Sequence, residues 1–95
     1  MSGGHEETRC TAVVDGSLIL TEAGAIAYAD VRVPRVPMPG SAYLRIVNQR
    51  LVQDRVIRFE RAGTDREGNT LAQVWVDGEN VNERIAAEAA SLAES

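Results

Sequence analysis

Histidine and cysteine, the residues that most often act as catalytic bases, nucleophiles and metal ligands, each occur once in this chain, as His5 and Cys10. A Ser-His-Asp or Cys-His mechanism would have to use His5, which lies in a polar, glycine-rich N-terminal stretch. A zinc site of the usual type needs three or four Cys or His ligands and is excluded. One cysteine also excludes an intrachain disulfide, and Cys10 is predicted to be a small buried hydrophobe. These two side chains predict neither a catalytic nor a metal site.

Arginine supplies all 10 basic residues of the 95-residue chain, against 14 acidic residues, which gives a formal net charge of −4. The absence of lysine excludes a Schiff-base lysine and a P-loop lysine. Guanidinium groups suit the recognition of phosphate and carboxylate. Binding to a nucleic-acid backbone, however, needs net or strongly clustered positive charge. The composition therefore favours a protein partner and disfavours a nucleic acid.

Two groups of arginines are candidates for a binding surface. Arg32 and Arg35 flank the dipeptide Val-Pro and are candidates for an anion or phosphate site, the alternative being that they are solvated. The second group is diluted by interleaved acidic residues and comprises Arg45, Arg50, Arg55, Arg58 and Arg61.

Three aspartates in predicted turns are expected to accept backbone hydrogen bonds rather than to bind a metal: Asp15, Asp65 and Asp77.

The elements that must position these side chains follow from hydrophobic periodicity and turn residues. Apolar and β-branched runs, separated by turn signals such as Asp-Gly, predict five strands at 10–14, 17–21, 25–33, 55–61 and 71–76. Leucine and valine at helical spacing predict a helix at 41–53, with Ser41 as its cap. Asn80 and Glu83 resemble a capping box at the start of a second helix.

The predicted order β-β-β-α-β-β-α is that of an OB-type barrel. We therefore expect a mainly β fold with some α, built as a five-stranded OB-fold barrel. Residues 9–93 would form a single domain that follows a flexible tail at 1–8. Phe59 and Trp75 are predicted to lie in the core of the barrel.

All three prolines fall in one loop, PRVPMPG, at 34–40. Neither a helix nor a central strand can cross it, because proline lacks the backbone N–H. Val36 and Met38 lie between the prolines, so the loop is predicted to be stiff and exposed. It is a candidate surface for docking a partner, the alternative being a plain connector.

The stretch DREGNTLAQVWVDGENVNE, at 65–83, resembles the signature of the staphylococcal-nuclease-like (thermonuclease) domain: Asp, a basic residue, an aromatic, Gly-Arg, Leu-Ala, a strand, Asp-Gly and Val-Asn. CTAVVDGSLIL, at 10–20, is similar to the first hairpin of that domain, and VRVP, at 31–34, is similar in place to the segment before its Asp-x-Pro-Glu motif. The resemblance covers residues 9–91. It implies an OB barrel with added helices. It also implies a calcium-dependent phosphodiesterase, with carboxylates that hold the metal, two arginines that bind the scissile phosphate and a glutamate that activates water.

Matched residue by residue, the resemblance places unsuitable side chains at every one of these positions. The metal-binding aspartates fall on Ser17 and Arg32, and the catalytic arginines fall on Ala27 and Asn69. The glutamate falls on Arg35. A carboxylate cage without carboxylates cannot offset the dehydration cost of Ca²⁺.

The sequence therefore predicts a catalytically inactive, nuclease-like OB-fold domain that acts as a binding or interaction module, with no catalytic residue, metal or cofactor. Its possible anion or ligand cleft consists of Ser17, Arg32, Arg35 and Asn69. One alternative is an OB domain that binds nucleic acid without cleaving it, and another is a calcium-dependent phosphodiesterase with a relocated site.

No apolar run approaches the ~20 residues of a membrane-spanning helix, and the N-terminal stretch lacks the apolar segment of a signal peptide. These features favour a cytoplasmic protein without a membrane partner.

Overall fold

The computed structural model describes residues 5–34 and 38–93. Six strands and two helices follow one another along the chain: β1 (Glu6–Asp15), β2 (Leu18–Thr21), β3 (Gly24–Tyr28), α1 (Ser41–Val52), β4 (Val56–Thr64), β5 (Thr70–Val76), β6 (Glu79–Asn80) and α2 (Val81–Ala93). The predicted strands and helices are all present, but the strand predicted at 25–33 is shorter: β3 ends at Tyr28, and a turn follows in which Asp30 has φ 60°. β6 is an addition of two residues that pairs with β5 after the turn at Asp77 and Gly78.

Strands β1 to β5 close into a barrel of mixed strand direction. β1, β2 and β3 form an antiparallel meander, and β4 pairs antiparallel with both β1 and β5. The barrel closes where β3 and β5 run parallel, with Ile26 opposite Thr70 and Tyr28 opposite Ala72. This connectivity, with α1 between β3 and β4, is consistent with an OB-like fold, and the predicted fold class is confirmed.

β1 is longer than the sequence predicts. It begins at Glu6, so the prediction of a flexible tail is wrong for residues 6–8. The first four residues of the strand pair with β4. From Cys10 onward β1 pairs with β2, and that pairing shifts register after Cys10 and again after Val13. Thr8 is buried, and its hydroxyl accepts a hydrogen bond from the backbone of Ala23 at 3.1 Å. Because this segment is polar, hydrophobic periodicity does not predict a strand there. The strand forms because folding brings the segment next to β4.

The core lies inside the barrel and under the two helices. Its larger members alternate along the strands or recur at helical spacing: Cys10, Ile19, Ile26, Tyr28, Val52, Ile57, Phe59, Val74, Val81 and Ile85. Cys10 and Phe59 are buried as predicted. Trp75 was predicted in the core and is instead half-buried, because Val74 and Val76 on either side of it point inward and the strand alternates.

The helix starts differ from each other. α1 begins at Ser41 itself, and its N-cap is Gly40 at φ 89°, without a side-chain cap, so the prediction of Ser41 as the cap is wrong. At the start of α2 the Asn80 Oδ1 accepts a hydrogen bond from the Glu83 N–H at 2.8 Å, which confirms that predicted cap. Within residues 5–34 and 38–93, neither helix has the length and apolar character needed to cross a membrane.

Candidate functional site

A cavity of about 500 Å³ lies at one end of the barrel. Three segments border it: the turn between β1 and β2, the stretch that follows β3, and the turn between β4 and β5. We call this cavity the cleft. Its polar and charged lining consists of Asp15, Ser17, Arg32, Asp65, Glu67 and Asn69.

The β1–β2 turn is held from both sides. The Asp15 Oδ1 accepts hydrogen bonds from the Ser17 N–H at 2.7 Å and from the Ser17 hydroxyl at 3.3 Å. A Cβ added at Gly16 would lie 2.8 Å from the Leu44 Cβ, so helix α1 packs against the turn too closely for any other residue. The Asn48 side chain of α1 donates to the Asp15 carbonyl at 2.9 Å. These contacts fix Ser17 at the edge of the cleft and engage the Asp15 carboxylate within its own turn.

The β4–β5 turn is organised around Asp65. Its Oδ1 accepts hydrogen bonds from the Glu67 N–H at 2.9 Å and the Asn69 N–H at 2.8 Å, and its Oδ2 accepts one from the Asn69 side-chain amide at 3.0 Å. The bond from the Asn69 side chain, followed by those from the backbone N–H groups, lowers the pKa of Asp65 below its ordinary value. Asp65 therefore serves the turn, as predicted, and in doing so it orients Asn69.

Arg32 and Glu67 are the other two charged residues that line the cleft. Both side chains are exposed, and neither has a hydrogen-bond or ion-pair partner among the described residues. Because Asp15 and Asp65 also line the cleft, the described residues bring three carboxylates and one guanidinium to it.

The structure brings together three of the four predicted cleft residues, Ser17, Arg32 and Asn69, although they are far apart in sequence. Ala27, onto which the resemblance carries a catalytic arginine, lines the same cavity. Arg35 lies outside the described residues. Glu67 was not predicted as part of the site. It lies two residues after Asp65 in the turn that also carries the predicted cleft residue Asn69, and that shared turn is the signal that could have indicated it.

The predicted partner loop is only partly described. Val36 lies outside the described residues. Met38 is 58% exposed, and its carbonyl accepts a hydrogen bond from the Ser41 N–H at 3.2 Å. An exposed methionine beside the start of α1 fits the predicted docking loop, which stays a prediction.

Two of the five arginines of the predicted basic stripe are paired with acidic residues in the described part of the chain. Arg55 pairs with Asp77 at 3.2 Å, and Arg61 pairs with Glu6 at 2.6 Å. Across residues 5–34 and 38–93, no three His, Cys, Asp or Glu side chains are grouped so as to hold a metal ion. Of the charged side chains without a partner among the described residues, Arg32 and Glu67 share the cleft, whereas the arginines of the stripe lie outside it.

The lowered pKa of Asp65 makes a prediction about acid sensitivity. Because the folded pKa lies below the unfolded value, the contribution of Asp65 to stability is fully present above about pH 5 and is lost as pH falls through the folded pKa. Asn69→Ala removes the leading cause, so the pKa of Asp65 should rise and the acid-induced loss of stability should be smaller. Carboxyl NMR titration of Asp65 measures this. Glu67→Ala keeps the backbone N–H that bonds Asp65 and is the control. An unchanged pKa in Asn69→Ala would contradict the assigned cause.

No protein-family model matches this chain, and a search of curated proteins finds no significant match.

Proposed function

We propose that the chain is a non-catalytic, nuclease-like OB-fold binding module that takes a segment of a protein partner in its cleft. One observation carries the proposal. Within the part of the chain that the structure describes, Arg32 and Glu67 present opposite, unpaired charges to one cavity of about 500 Å³. Unpaired charges of both signs in a concave site favour a ligand that carries both signs itself.

The absence of catalysis is supported by what the cleft side chains already do. Phosphodiester cleavage by the nucleases that this chain resembles needs carboxylates free to hold calcium and arginines aimed at the phosphate. The Asp15 and Asp65 carboxylates instead accept hydrogen bonds within their own turns. Ala27 and Asn69 lie in the cleft where the resemblance implies the two arginines.

A polypeptide suits this cleft better than a nucleic acid does. A nucleic-acid strand brings one negative charge per nucleotide, and three carboxylates line the cavity that it would enter. A polypeptide segment can place an acidic side chain against Arg32, a basic one against Glu67, and amide groups against Ser17 and Asn69. The last two side chains lie at the edge of the cavity on rigid turns.

The test is a selection of random peptides displayed on phage, made in parallel on the wild-type protein and on the variants Arg32→Ala and Glu67→Ala. Peptides that wild type enriches should carry both an acidic and a basic residue. Each substitution should weaken their binding about tenfold, the effect of losing one charge-assisted hydrogen bond. Arg45→Ala, which removes an exposed arginine of α1 that does not line the cleft, is the matched control.

A labelled single-stranded DNA, titrated at about 50 and about 200 mM salt, provides the competing readout. Binding that falls steeply with salt and is lost in Arg32→Ala would favour the nucleic-acid-binding alternative. Calcium-dependent cleavage of the same strand would favour a phosphodiesterase with a relocated site. Selected peptides that bind both variants as tightly as wild type would exclude the cleft as the binding surface.

A further inference from the structure

A second cavity, of about 260 Å³, lies toward the other end of the β4–β5 hairpin from the cleft. It is lined by His5, Arg58, Trp75 and Gly78, none of which lines the cleft. We call it the tryptophan pocket.

The strand register explains why Trp75 lies here. On β5, Val74 and Val76 point into the core, so Trp75 points outward. Arg58 of β4 is its cross-strand partner on one side and Asn80 of β6 on the other. A half-buried tryptophan on an outer barrel face leaves part of its apolar ring uncovered, and tryptophan is enriched among the residues that contribute most to binding at interfaces.

The other side chains of the pocket leave part of the indole accessible, since Trp75 is half-buried. The His5 ring contacts Trp75 with centroids 4.9 Å apart and planes tilted by 54°. Gly78, at φ 82°, has no atom within 4 Å of the place where a Cβ would be, so the pocket is open on that side. The pocket has room for about one ring-bearing side chain.

Arg58 supplies the charge. The neighbouring arginines are paired: Arg55, just before β4, with Asp77, and Arg61 of β4 with Glu6. Arg58 is exposed and has no hydrogen-bond or ion-pair partner among the described residues. A partly exposed indole beside a guanidinium that has no partner among the described residues matches a ligand that joins a ring to a carboxylate.

We propose that the tryptophan pocket binds an extended peptide in which an aromatic or proline ring lies next to an acidic side chain. The ring stacks on Trp75, and the carboxylate accepts hydrogen bonds from Arg58. Acidic residues on the same face argue against a nucleic-acid strand. Glu7 of β1 is the cross-strand partner of Arg58 on β4, and the Glu60 carboxylate lies 4.0 Å from the His5 ring. A single carboxylate can reach Arg58 between them, whereas successive phosphates would be repelled.

The test uses the capped tetrapeptide acetyl-Gly-Phe-Asp-Gly-amide as probe, with the Asn and Lys analogues in place of its Asp. Trp75 is the single tryptophan of the chain, so its fluorescence reports binding to the pocket directly. We expect the Asp peptide to bind about tenfold tighter than the Asn peptide and tighter still than the Lys peptide.

Substitutions then assign the contacts. Arg58→Gln should remove the preference for the Asp peptide over the Asn peptide, whereas Arg45→Gln, at an exposed arginine of α1, should retain it. Trp75→Leu, followed by NMR, should abolish binding of both peptides. Arg32→Ala changes the cleft and not the tryptophan pocket, so it should leave the binding of the Asp peptide unchanged. The two proposals can therefore fail independently of each other.

Equal affinity for the Asp, Asn and Lys peptides would overturn the proposal, and so would binding that survives Trp75→Leu. An oligonucleotide that quenches Trp75 more strongly than the Asp peptide, in a manner that depends on Arg58, would also overturn it in favour of a nucleic-acid ligand.

Discussion

Replacing Asn82 by alanine is expected to lower the free energy of unfolding by about 3 kcal/mol. Asn82 is 3% exposed at the start of α2, and its side chain makes three hydrogen bonds to backbone. Its Oδ1 accepts from the Val74 N–H at 3.0 Å, and its Nδ2 donates to the carbonyls of Ala29 and Ala72 at 3.0 and 2.9 Å. Ala29 follows β3 and Ala72 lies in β5, so one amide joins α2 to both strands that close the barrel.

The size of the effect follows from burial. Alanine would leave the Val74 N–H and the Ala29 carbonyl without their Asn82 partner in the interior, and each such loss costs about 1–3 kcal/mol. Small domains have a total stability of about 5–15 kcal/mol, so the variant should unfold at a clearly lower urea concentration. Because an aspartate can accept but not donate, Asn82→Asp should be at least as destabilised.

Asn80→Ala is the matched control, since it removes a nearby asparagine that accepts from one backbone N–H, that of Glu83, and otherwise donates to the Gln73 side chain at 3.2 Å. The loss of that cap should cost about 1 kcal/mol. Urea unfolding curves of the three variants give the comparison. If Asn82→Ala and Asn80→Ala cost the same, the Asn82 amide does not hold the barrel closed.

The second large effect is expected for Asn48→Ala, at about 2–3 kcal/mol. Asn48 is fully buried on α1, and its Oδ1 accepts a hydrogen bond from the hydroxyl of the buried Tyr28. Its Nδ2 donates to the Asp15 carbonyl at 2.9 Å. Burial strongly raises the pKa of Tyr28, so the phenol stays protonated and stays a donor. The substitution leaves both the phenol and the Asp15 carbonyl without this partner.

Asn48→Ala should also loosen the cleft, because Asp15 belongs to the turn that holds Ser17. Amide hydrogen exchange at Ser17 should become faster in this variant and stay slow in Tyr28→Phe, which keeps the bond from Asn48 to Asp15. Urea unfolding of both single variants and the double variant gives the coupling between Tyr28 and Asn48, expected at about 1 kcal/mol. Exchange at Ser17 that is unaffected by Asn48→Ala would contradict a role of α1 in fixing the cleft.

Much of the fold was predictable, because its signals are local. The Asp-Gly pair at Asp77 and Gly78 favours a tight turn, and both residues adopt positive φ there, 52° and 82°. Helical spacing placed α1 within one residue of its observed end. Each of these follows from a residue's own conformational preference or from a short periodic pattern.

The candidate site was predictable only in part. Ser17, Arg32 and Asn69 come together because β3 pairs with β5 and because both turns end at the same edge of the barrel. The family resemblance predicted that these three residues share a cleft, whereas no local sequence pattern indicated it. The contribution of Glu67 was missed because an acidic residue in a polar turn looks like any solvated loop residue.

By itself, the sequence determined the order of the elements, the turn residues and the scarcity of histidine and cysteine that leaves little room for triad or zinc chemistry. Only the tertiary structure decided which charges meet and which face each strand buries. Arg61 is paired with a glutamate 55 positions away, whereas Arg58, three residues earlier on the same strand, lies beside an outward-facing Trp75 without a partner among the residues that the structure describes. Alternation along a strand defines two faces, but the closure of the barrel selects which face is inside and which distant side chains become neighbours.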